Sequence, residues 1–419
     1  MANKVFTVAI LGVGARGGNA YGKLINKFTD KYNIVALCDL REDRLEYYGE
    51  LFGVDKEHRF NSDVEFFKEK RADLLVIATP DTAHINHAVK AFEVGYDVLV
   101  EKPLTDNEEE CKRLLAAQEK HGCRALVCHV LRYAPAYTKL YEIISSGKIG
   151  KLLDINWIEP VGYWHQAHSY VRGNWRNTAD SAPMILAKSC HDLDLIQWYA
   201  KSKCKSISSI GSLDFFKEEN APEGATERCQ DCPHKDTCPY SAYRIYIERW
   251  HQFGCPTHEW PYNVVTAEPV SEEKMRAAIE SGPYGRCVFH CDNNVVDHQT
   301  VQMLFENGIT ATFHMNAFNL HGGRRVAMFG TYGELYMDEK TITLDVFGKP
   351  TEIISINALL EADYGHGGGD LKLIEALYDM MEGKSGLETS LEASVESHLM
   401  GIKAEESRLA EGKLLFVHV

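Results

Sequence analysis

The chain contains no long uninterrupted apolar run, and none approaches the ~18 residues that a membrane-spanning helix requires. Its amino terminus leads through Met1-Ala2-Asn3-Lys4 straight into a predicted strand at residues 5–11, and a glycine-rich loop follows at once. We therefore do not interpret this strand as a signal peptide. These features predict a protein without a membrane partner, and we expect it to be cytoplasmic.

Positive charge is also scarce. The 419 residues include 45 Lys and Arg against 60 Asp and Glu, which gives a formal net charge of −15. This balance argues against nonspecific binding to phosphate backbones, and we predict no nucleic-acid partner. The 12 cysteines, in a chain without a predicted export signal, favour reduced thiols or metal ligands over a disulfide scaffold.

The amino-terminal third carries the pattern of a dinucleotide-binding site. An apolar run at residues 8–11 is followed by G-x-G-x-x-G, directly before a predicted helix. The glycines permit a tight turn and a close approach of the backbone to a pyrophosphate, which the helix amino terminus also attracts. We therefore predict cofactor contacts from Gly12, Gly14, Ala15, Arg16 and Gly17.

A carboxylate follows the glycines at the expected distance. Asp39 ends a second predicted strand at residues 34–38, where it can accept both ribose hydroxyls and would repel a 2′-phosphate. This position favours NAD over NADP. Arg41 and Arg44 lie close enough in the sequence to leave NADP open, although such arginines are often only solvated charges at a helix start.

The alternation of strands and helices then continues. Strands are predicted at residues 72–78, 97–101 and 125–129, with helices at 82–95 and 106–121 between them. Strands that alternate with helices imply a parallel, doubly wound α/β sheet. We assign residues 1–127 to this dinucleotide-binding domain.

Glu101-Lys102-Pro103 closes the buried run at residues 97–100. In open parallel sheets, ligands bind at the carboxyl ends of the strands, and this is where Lys102 is predicted to lie. A lysine there can stabilise negative charge on an alcohol oxygen during oxidation. A solvated Glu-Lys pair at a strand end is the alternative interpretation of the tripeptide alone.

Several short segments together resemble the Gfo/Idh/MocA oxidoreductases, the family of glucose-fructose oxidoreductase and inositol dehydrogenase. These segments are residues 78–84 (ATPDTAH), 101–103 (EKP), 132–135 (RYAP), 147–151 (GKIGK), 330–335 (GTYGEL) and 366–370 (HGGGD).

The resemblance implies a Rossmann domain and then an α+β domain with a large open, mostly antiparallel sheet, here residues 128–419. It implies NAD(P), a small carbohydrate or polyol substrate, and a homodimer or homotetramer built on the sheet. It assigns Lys102 to both substrate and nicotinamide, and adds four cofactor contacts: Thr79, Pro80, His84 and Glu101.

The family also carries a helix with Asp-x-x-x-His, whose histidine is the general base. His191 falls on that histidine, but Ala187 stands where the aspartate would be. Lys188 lies three residues before His191, so a shared helix face would let it lower the histidine pKa and bind a second oxygen. Asp194 could partly replace the missing carboxylate or be an outward structural charge.

An unusual run of aromatic, histidine and arginine residues occupies positions 163–176. Sugars present apolar faces that stack on aromatic rings and hydroxyls that bond to polar side chains, and pockets combine both kinds of group. We predict substrate contacts from His168, Arg172, Trp175 and Arg176, with simple packing as the alternative.

Three cysteines follow the pattern C-x₂-C-x₅-C in a predicted insertion at about residues 220–292. Thiolates at this spacing can close around one tetrahedral ion, most readily a structural zinc. Cys229, Cys232 and Cys238 would need a fourth ligand, for which Cys287 is our first choice; Cys255, Cys291 and His234 are the alternatives. Free thiols or a redox pair remain open, and an iron–sulfur cluster is disfavoured because nothing else indicates electron transfer.

The predicted function is hydride transfer between NAD and a sugar, polyol or glycoside hydroxyl, with Lys102, His191 and Lys188 as catalytic residues. A second hypothesis is an NAD-dependent glycosidase or lyase that oxidises a sugar transiently and eliminates its substituent. A third is a nonenzymatic NAD-binding regulatory protein, which the presence of both Lys102 and His191 disfavours.

Overall fold

The computed structural model describes residues 4–360, 365–384 and 389–418. Six strands form the first sheet in the order β3-β2-β1-β4-β5-β6, and every neighbouring pair is parallel. Their bounds are β1 Phe6–Leu11, β2 Tyr32–Cys38, β3 Arg59–Phe60, β4 Leu74–Ile77, β5 Asp97–Val100 and β6 Ala125–Val127. This order confirms the predicted doubly wound sheet. The strand order runs outward in one direction from β1 and in the other from β4, so a crevice lies between these two strands at the topological switch point.

The second sheet has nine strands in the order β14-β13-β12-β11-β7-β10-β9-β8-β15. All neighbours are antiparallel except β7 and β10, so the predicted mostly antiparallel sheet is confirmed. The bounds are β7 Leu152–Gly162, β8 Cys204–Ser212, β9 His298–Phe305, β10 Thr310–Asn319, β11 Arg325–Gly330, β12 Gly333–Met337, β13 Thr341–Val346, β14 Glu352–Ser355 and β15 Leu415–Phe416.

Eight helices of ten residues or more occur in the described ranges. They are α1 Glu42–Phe52, α2 His84–Val94, α3 Glu108–His121, α4 Pro135–Ser145, α5 Cys190–Ala200, α6 Glu272–Ser281, α7 Gly369–Met381 and α8 Leu391–Leu409. Shorter helical segments lie at Ala15–Gly22, Lys23–Ile25, Lys56–His58, Asp63–Phe66, Asp81–Ala83, Val130–Tyr133, Tyr163–His165, Gln166–Arg172, Met184–Ala187, Glu218–Asn220, Cys229–Asp231, Arg244–Glu248, Arg249–Gln252, Tyr262–Val265, Pro283–Gly285, Asn357–Leu359 and His366–Gly368.

Helix α7 returns to the first sheet although it lies near the end of the chain. The Tyr32 hydroxyl donates to the Ile374 carbonyl oxygen at 2.9 Å, and the Phe6 and Tyr378 rings lie 5.7 Å apart. The late His366-to-Asp370 segment is thereby brought to the glycine-rich loop.

The segment between β8 and β9 has a hydrophobic core of its own. Its buried apolar side chains include Phe216, Tyr246, Met275 and Tyr284, and they pack with Val171 of the aromatic segment. The insertion therefore covers the aromatic segment on one side. Within the described residues no helix is both long and apolar enough to cross a membrane.

Candidate active site at the carboxyl ends of the parallel strands

The glycine-rich loop lies against the end of β4. Gly12 has φ +90°, and a Cβ atom there would lie 2.5 Å from the Ala78 carbonyl oxygen. A Cβ on Gly17 would lie 2.0 Å from the Gly12 oxygen. Only glycine permits this close packing, and the helical segment Ala15–Gly22 begins directly behind the loop. The cradle is therefore of the shape that a pyrophosphate requires.

Asp39 ends β2 beside this loop. Its Oδ2 accepts from the Val13 amide at 2.8 Å, and its Oδ1 accepts from the Arg41 amide at 2.9 Å. The Arg44 guanidinium lies 3.8 Å from Asp39 Oδ2, whereas the Arg41 side chain pairs with Asp43. Of the two arginines considered for NADP, Arg44 is therefore the one that reaches the ribose-binding position.

Arg16 and Glu101 bind each other inside the protein. Arg16 Nε donates to Glu101 Oε1 at 2.8 Å, and Arg16 Nη2 donates to Asp370 Oδ1 at 2.8 Å. The Tyr21 hydroxyl also donates to Glu101, at 2.6 Å, and Glu101 accepts from the Lys102 amide at 3.0 Å. Although burial alone would raise it, the nearby Arg16 and Lys102 charges lower the pKa of Glu101. This network fixes the backbone from which Lys102 projects.

His84 connects the ends of β4 and β5. Its Nδ1 lies 2.7 Å from the Pro103 oxygen and its Nε2 lies 2.8 Å from the Thr79 oxygen. Thr79 Oγ1 lies 3.1 Å from His87 Nδ1, and Pro80 precedes the turn Asp81–Ala83. The predicted cofactor contacts of this motif thus share one strand edge with Lys102.

Lys102, which follows β5, and His191, in the first turn of α5, lie close to each other. Lys102 Nζ donates to the Ala187 carbonyl oxygen at 3.1 Å. His191 is the second residue of α5 and is only 7% exposed. Its Nδ1 atom has no hydrogen-bond partner among the described residues. Burial first, and then the charge of Lys102, hold the pKa of His191 well below its usual range. A neutral imidazole with a free nitrogen beside an ammonium group can take a proton while the lysine stabilises an oxyanion.

Two sequence expectations about His191 need correction. The helix is interrupted between Ala187 and Cys190, so Lys188 does not share a regular face with His191 and instead pairs with Glu159, at 3.1 Å. Lys102, rather than Lys188, is the cation that acts most strongly on the histidine. Asp194 neither replaces the missing aspartate nor points outward, because it is buried and binds Arg132 at 2.7 Å.

The aromatic segment divides between the site and the insertion. Trp175 Nε1 donates to Asp81 Oδ2 at 2.9 Å, which ties Trp175 to the end of β4. Arg176 pairs with Asp292 at 2.9 Å. His168 Nδ1 lies 3.0 Å from the Tyr246 hydroxyl, and its ring stacks on Tyr284 with centroids 4.9 Å apart.

Arg172 is buried at 1% exposure against the cysteine-rich segment. Its guanidinium donates to the carbonyl oxygens of Arg286 and Tyr240, both at 2.7 Å. Arg172 therefore binds protein groups instead of being free for the substrate contact that the sequence predicts.

Sequence reasoning missed four residues around His191. Glu159, near the end of β7, forms ion pairs with Lys188 and with Arg324, which lies 3.1 Å from Glu159 Oε2.

Two of the four are histidines. Burial, and then the charge of Lys188, hold the pKa of His165 well below its usual range. His366 lies 6.1 Å from His191 between ring centroids. His165 and His366 lay in segments already singled out by composition or motif, but no local pattern marks Glu159 or Arg324.

The four predicted metal ligands line one small cavity of about 20 Å³, made by Cys229, Cys232, Cys238 and Cys287 with their neighbours. Within the ranges that the structure describes, no group of three or more His, Cys, Asp or Glu side chains is arranged to hold a metal ion. The sulfurs are therefore gathered but not closed around a common centre.

Known proteins identify the architecture. Residues 6–129 match the family model described as the oxidoreductase family with an NAD-binding Rossmann fold. The first domain therefore belongs to the Gfo/Idh/MocA oxidoreductase family. The putative oxidoreductase YteT of Bacillus subtilis is 24% identical over 399 residues, which is 88% of each chain. The predicted resemblance is confirmed, and the protein is an NAD-binding enzyme of this oxidoreductase type.

A second curated relative matches less of the chain, and a solved structure matches its whole length in fold. The scyllo-inositol 2-dehydrogenase (NAD(+)) of Bacillus subtilis is 28% identical over 213 residues, which is 49% of this chain and 57% of the relative. The match thus spans little more than half of that enzyme. The WlbA dehydrogenase of Bordetella pertussis, crystallised with NADH and UDP-GlcNAcA, superposes with a TM-score of 0.70 at 15% identity, over 100% of this chain and 99% of that one. This likeness shows a shared fold.

Proposed function

We propose that the protein transfers a hydride between NAD and a hydroxyl-bearing carbon of a sugar, polyol or glycoside. One observation carries the proposal: the Lys102 ammonium and the buried, unpaired His191 nitrogen lie together at the carboxyl edge of the parallel sheet. An inositol 2-dehydrogenase among the relatives gives a polyol precedent. The substrate class is our inference from these two facts.

The residues of the glycine-rich loop suit NAD. Gly12, Gly14 and Gly17 would cradle the pyrophosphate, and Asp39 would accept the ribose hydroxyls. Bound NAD supplies the hydride acceptor. We prefer NAD to NADP because a 2′-phosphate would meet the Asp39 carboxylate, although Arg44 lies beside it.

His191 and Lys102 divide the proton chemistry between them. Because burial and neighbouring positive charge keep His191 neutral, its free nitrogen is ready to accept the hydroxyl proton. Lys102 stabilises negative charge that develops on the substrate oxygen. Lys188 is bound to Glu159, so we propose that this pair orients a substrate hydroxyl and takes no proton itself.

A second reaction is favoured by one feature, the alanine at position 187. Without an aspartate the imidazolium formed at His191 has no anionic partner on its own helix, so reversing the proton transfer would be easy. That property would suit an NAD-dependent glycosidase or lyase, in which a transient oxidation is undone after elimination.

The proposal is tested by incubating the protein with NAD and panels of polyols, free sugars and aryl glycosides. NADH and organic product are measured together, with Lys102→Met as the matched control for background reduction. We expect NADH and oxidised product in equal amounts from the unmodified protein, and neither from the variant. NAD-dependent product without NADH would replace the first reaction by the second, and NAD binding without turnover of any compound would contradict both.

A further inference from the structure

Arg172 is a buried cation without a carboxylate partner among the described residues. Two of its hydrogen bonds go to main-chain oxygens, a third goes from Nη2 to Cys229 Sγ at 3.5 Å, and Nη1 has no partner. Burying an unpaired charge costs several kcal/mol, so buried cations normally lie next to an anion. Thiols are neutral, and only their deprotonated forms would supply the missing negative charge.

The cavity beside Arg172 has room for a single ion or water molecule. Its volume of about 20 Å³ is close to that of a single water molecule, and four cysteines and Arg172 line it. Its wall also includes His234 and Lys235, and the remaining lining residues are apolar or hydroxyl-bearing. Such a space matches one metal ion better than an iron–sulfur cluster.

The two chain segments that carry the cysteines are held together. Arg228 and Arg286 form an isolated antiparallel bridge, and the Cys287 amide donates to the Glu227 oxygen at 2.9 Å. This connection brings Cys287 to the three clustered cysteines. Of the three alternative fourth ligands, Cys255 and Cys291 do not line the cavity, whereas His234 does, and its Nε2 lies 2.8 Å from the Glu223 oxygen.

Hydrogen-bond donors already point at one of the sulfurs. The Ala242 amide donates to Cys229 Sγ at 3.4 Å, in addition to Arg172 Nη2. Bonds from N–H groups to a ligand sulfur stabilise its thiolate form and orient it, as in the outer shells of metal centres.

We propose that Cys229, Cys232, Cys238 and Cys287 bind one zinc ion as thiolates, with Arg172 as the counter-charge. Four thiolates and a divalent ion carry a net charge of −2, which Arg172 reduces to −1. Because the sulfurs are gathered but not closed around a centre, binding draws them together and releases their protons. The bound ion would fix the insertion against the helical segment Gln166–Arg172, whose Ala167 and Val171 pack in the core of the insertion.

Metal analysis of the full chain, purified without chelators, tests this site independently of any enzymatic activity. We expect one zinc per chain, loss of that zinc in Cys229→Ser and Cys287→Ser, and full retention in Cys123→Ser, a cysteine of the first domain. Because a serine variant can fail to fold, cobalt is also exchanged into the unmodified chain. Four thiolate ligands would give an intense sulfur-to-cobalt absorption band.

A second comparison isolates Arg172. Zinc affinity, measured by competition with a chelator, should fall about tenfold or more in Arg172→Met, as is usual for loss of an outer-shell partner. It should be unchanged in Arg244→Met, which removes an exposed arginine of the same insertion. Less than one-tenth of an equivalent of metal, an iron chromophore, or a disulfide between any two of the four cysteines would overturn the proposal.

Discussion

His191 shows how a single imidazole can be kept neutral where the carboxylate implied by the family resemblance is missing. Ala187 offers only its carbonyl oxygen, and that oxygen accepts from Lys102. None of the described charges that act most strongly on the pKa of His191 is negative, and burial and the Lys102 charge both oppose the imidazolium. His191 is therefore neutral and able to accept a proton, but it binds that proton more weakly than an ordinary histidine does.

Replacing His191 should separate chemistry from cofactor binding. Since a positioned base contributes about 10²–10⁴-fold, His191→Ala should lower kcat by that factor and leave the Kd for NAD within about twofold. His58→Ala, which changes an exposed histidine in the first domain, is the control. An unchanged kcat would exclude His191 from proton transfer.

The pH profile of kcat/KM follows from the same environment. A base whose pKa lies well below the usual 6.5 stays deprotonated in mildly acidic solution, so activity should persist as the pH falls from 8 to 6. The acid limb should appear only below that range. A limb at 6.5 or above would show that His191 titrates like an exposed histidine.

The residues found from sequence alone are those whose role depends on local pattern. Lys102 follows a buried strand, which local pattern indicates, whereas His191 was predicted only because it falls on the histidine of the resembling family. Lys188 could not be placed, because periodicity does not show that the helix breaks next to it. Glu159 pairs with both Lys188 and Arg324, which lie far from it along the chain, and no local sequence pattern indicates such long-range ion pairs.

His398, a buried histidine of helix α8, binds the loop that follows Lys102. His398 Nε2 accepts from the Leu104 amide at 2.8 Å, and its Nδ1 donates to the Ser394 oxygen at 2.7 Å. This pair of bonds requires the neutral ring, and burial lowers the pKa of His398 to about 3. The lysine-bearing loop is therefore braced by an element almost 300 residues away, as the sequence separation of 294 shows.

Acid should weaken this brace. The pKa of His398 is lower in the folded state than the usual 6.5, so the unfolded chain binds the proton first and stability is lost as the pH falls below about 6.5. The slope for one such histidine is about 1.4 kcal/mol per pH unit. The free energy of unfolding, measured with urea at pH 7.5, 6.5 and 5.5, should fall less steeply with decreasing pH for His398→Gln than for the unmodified chain. Equal slopes would mean that His398 is not the titrating group.

Among the strands and helices, those that pack against sequence neighbours could be predicted, whereas those that pack against distant segments could not. The strands and helices of the first domain alternate along the chain, so their type and parallel order follow from pattern and from crossover handedness. The parallel contact between β7 and β10 joins strands separated by the whole insertion. The return of α7 to the first sheet likewise depends on tertiary packing, which no local signal encodes.

At the scale of the molecule, the nine-stranded sheet leaves one face open. The register aligns Ile158, His314, Thr300 and Ile210 across four adjacent strands on that face. Ile158 is 36% exposed and Ile210 is 61% exposed. A row of partly apolar side chains on a broad sheet is suited to self-association, and we propose that two copies pair through it.

Charge on this row should therefore separate the copies. Each isoleucine gains about 1.5–3 kcal/mol when fully buried, whereas an unpaired carboxylate in its place would cost several kcal/mol in a closed interface. The double variant Ile158→Glu with Ile210→Glu should be monomeric by light scattering at micromolar concentration, and the unmodified chain should be a dimer or tetramer. Leu409→Glu, at a 69% exposed position at the end of α8, should keep the original size. A monomeric unmodified chain, or an assembly that survives both glutamates, would rule out this face as the interface.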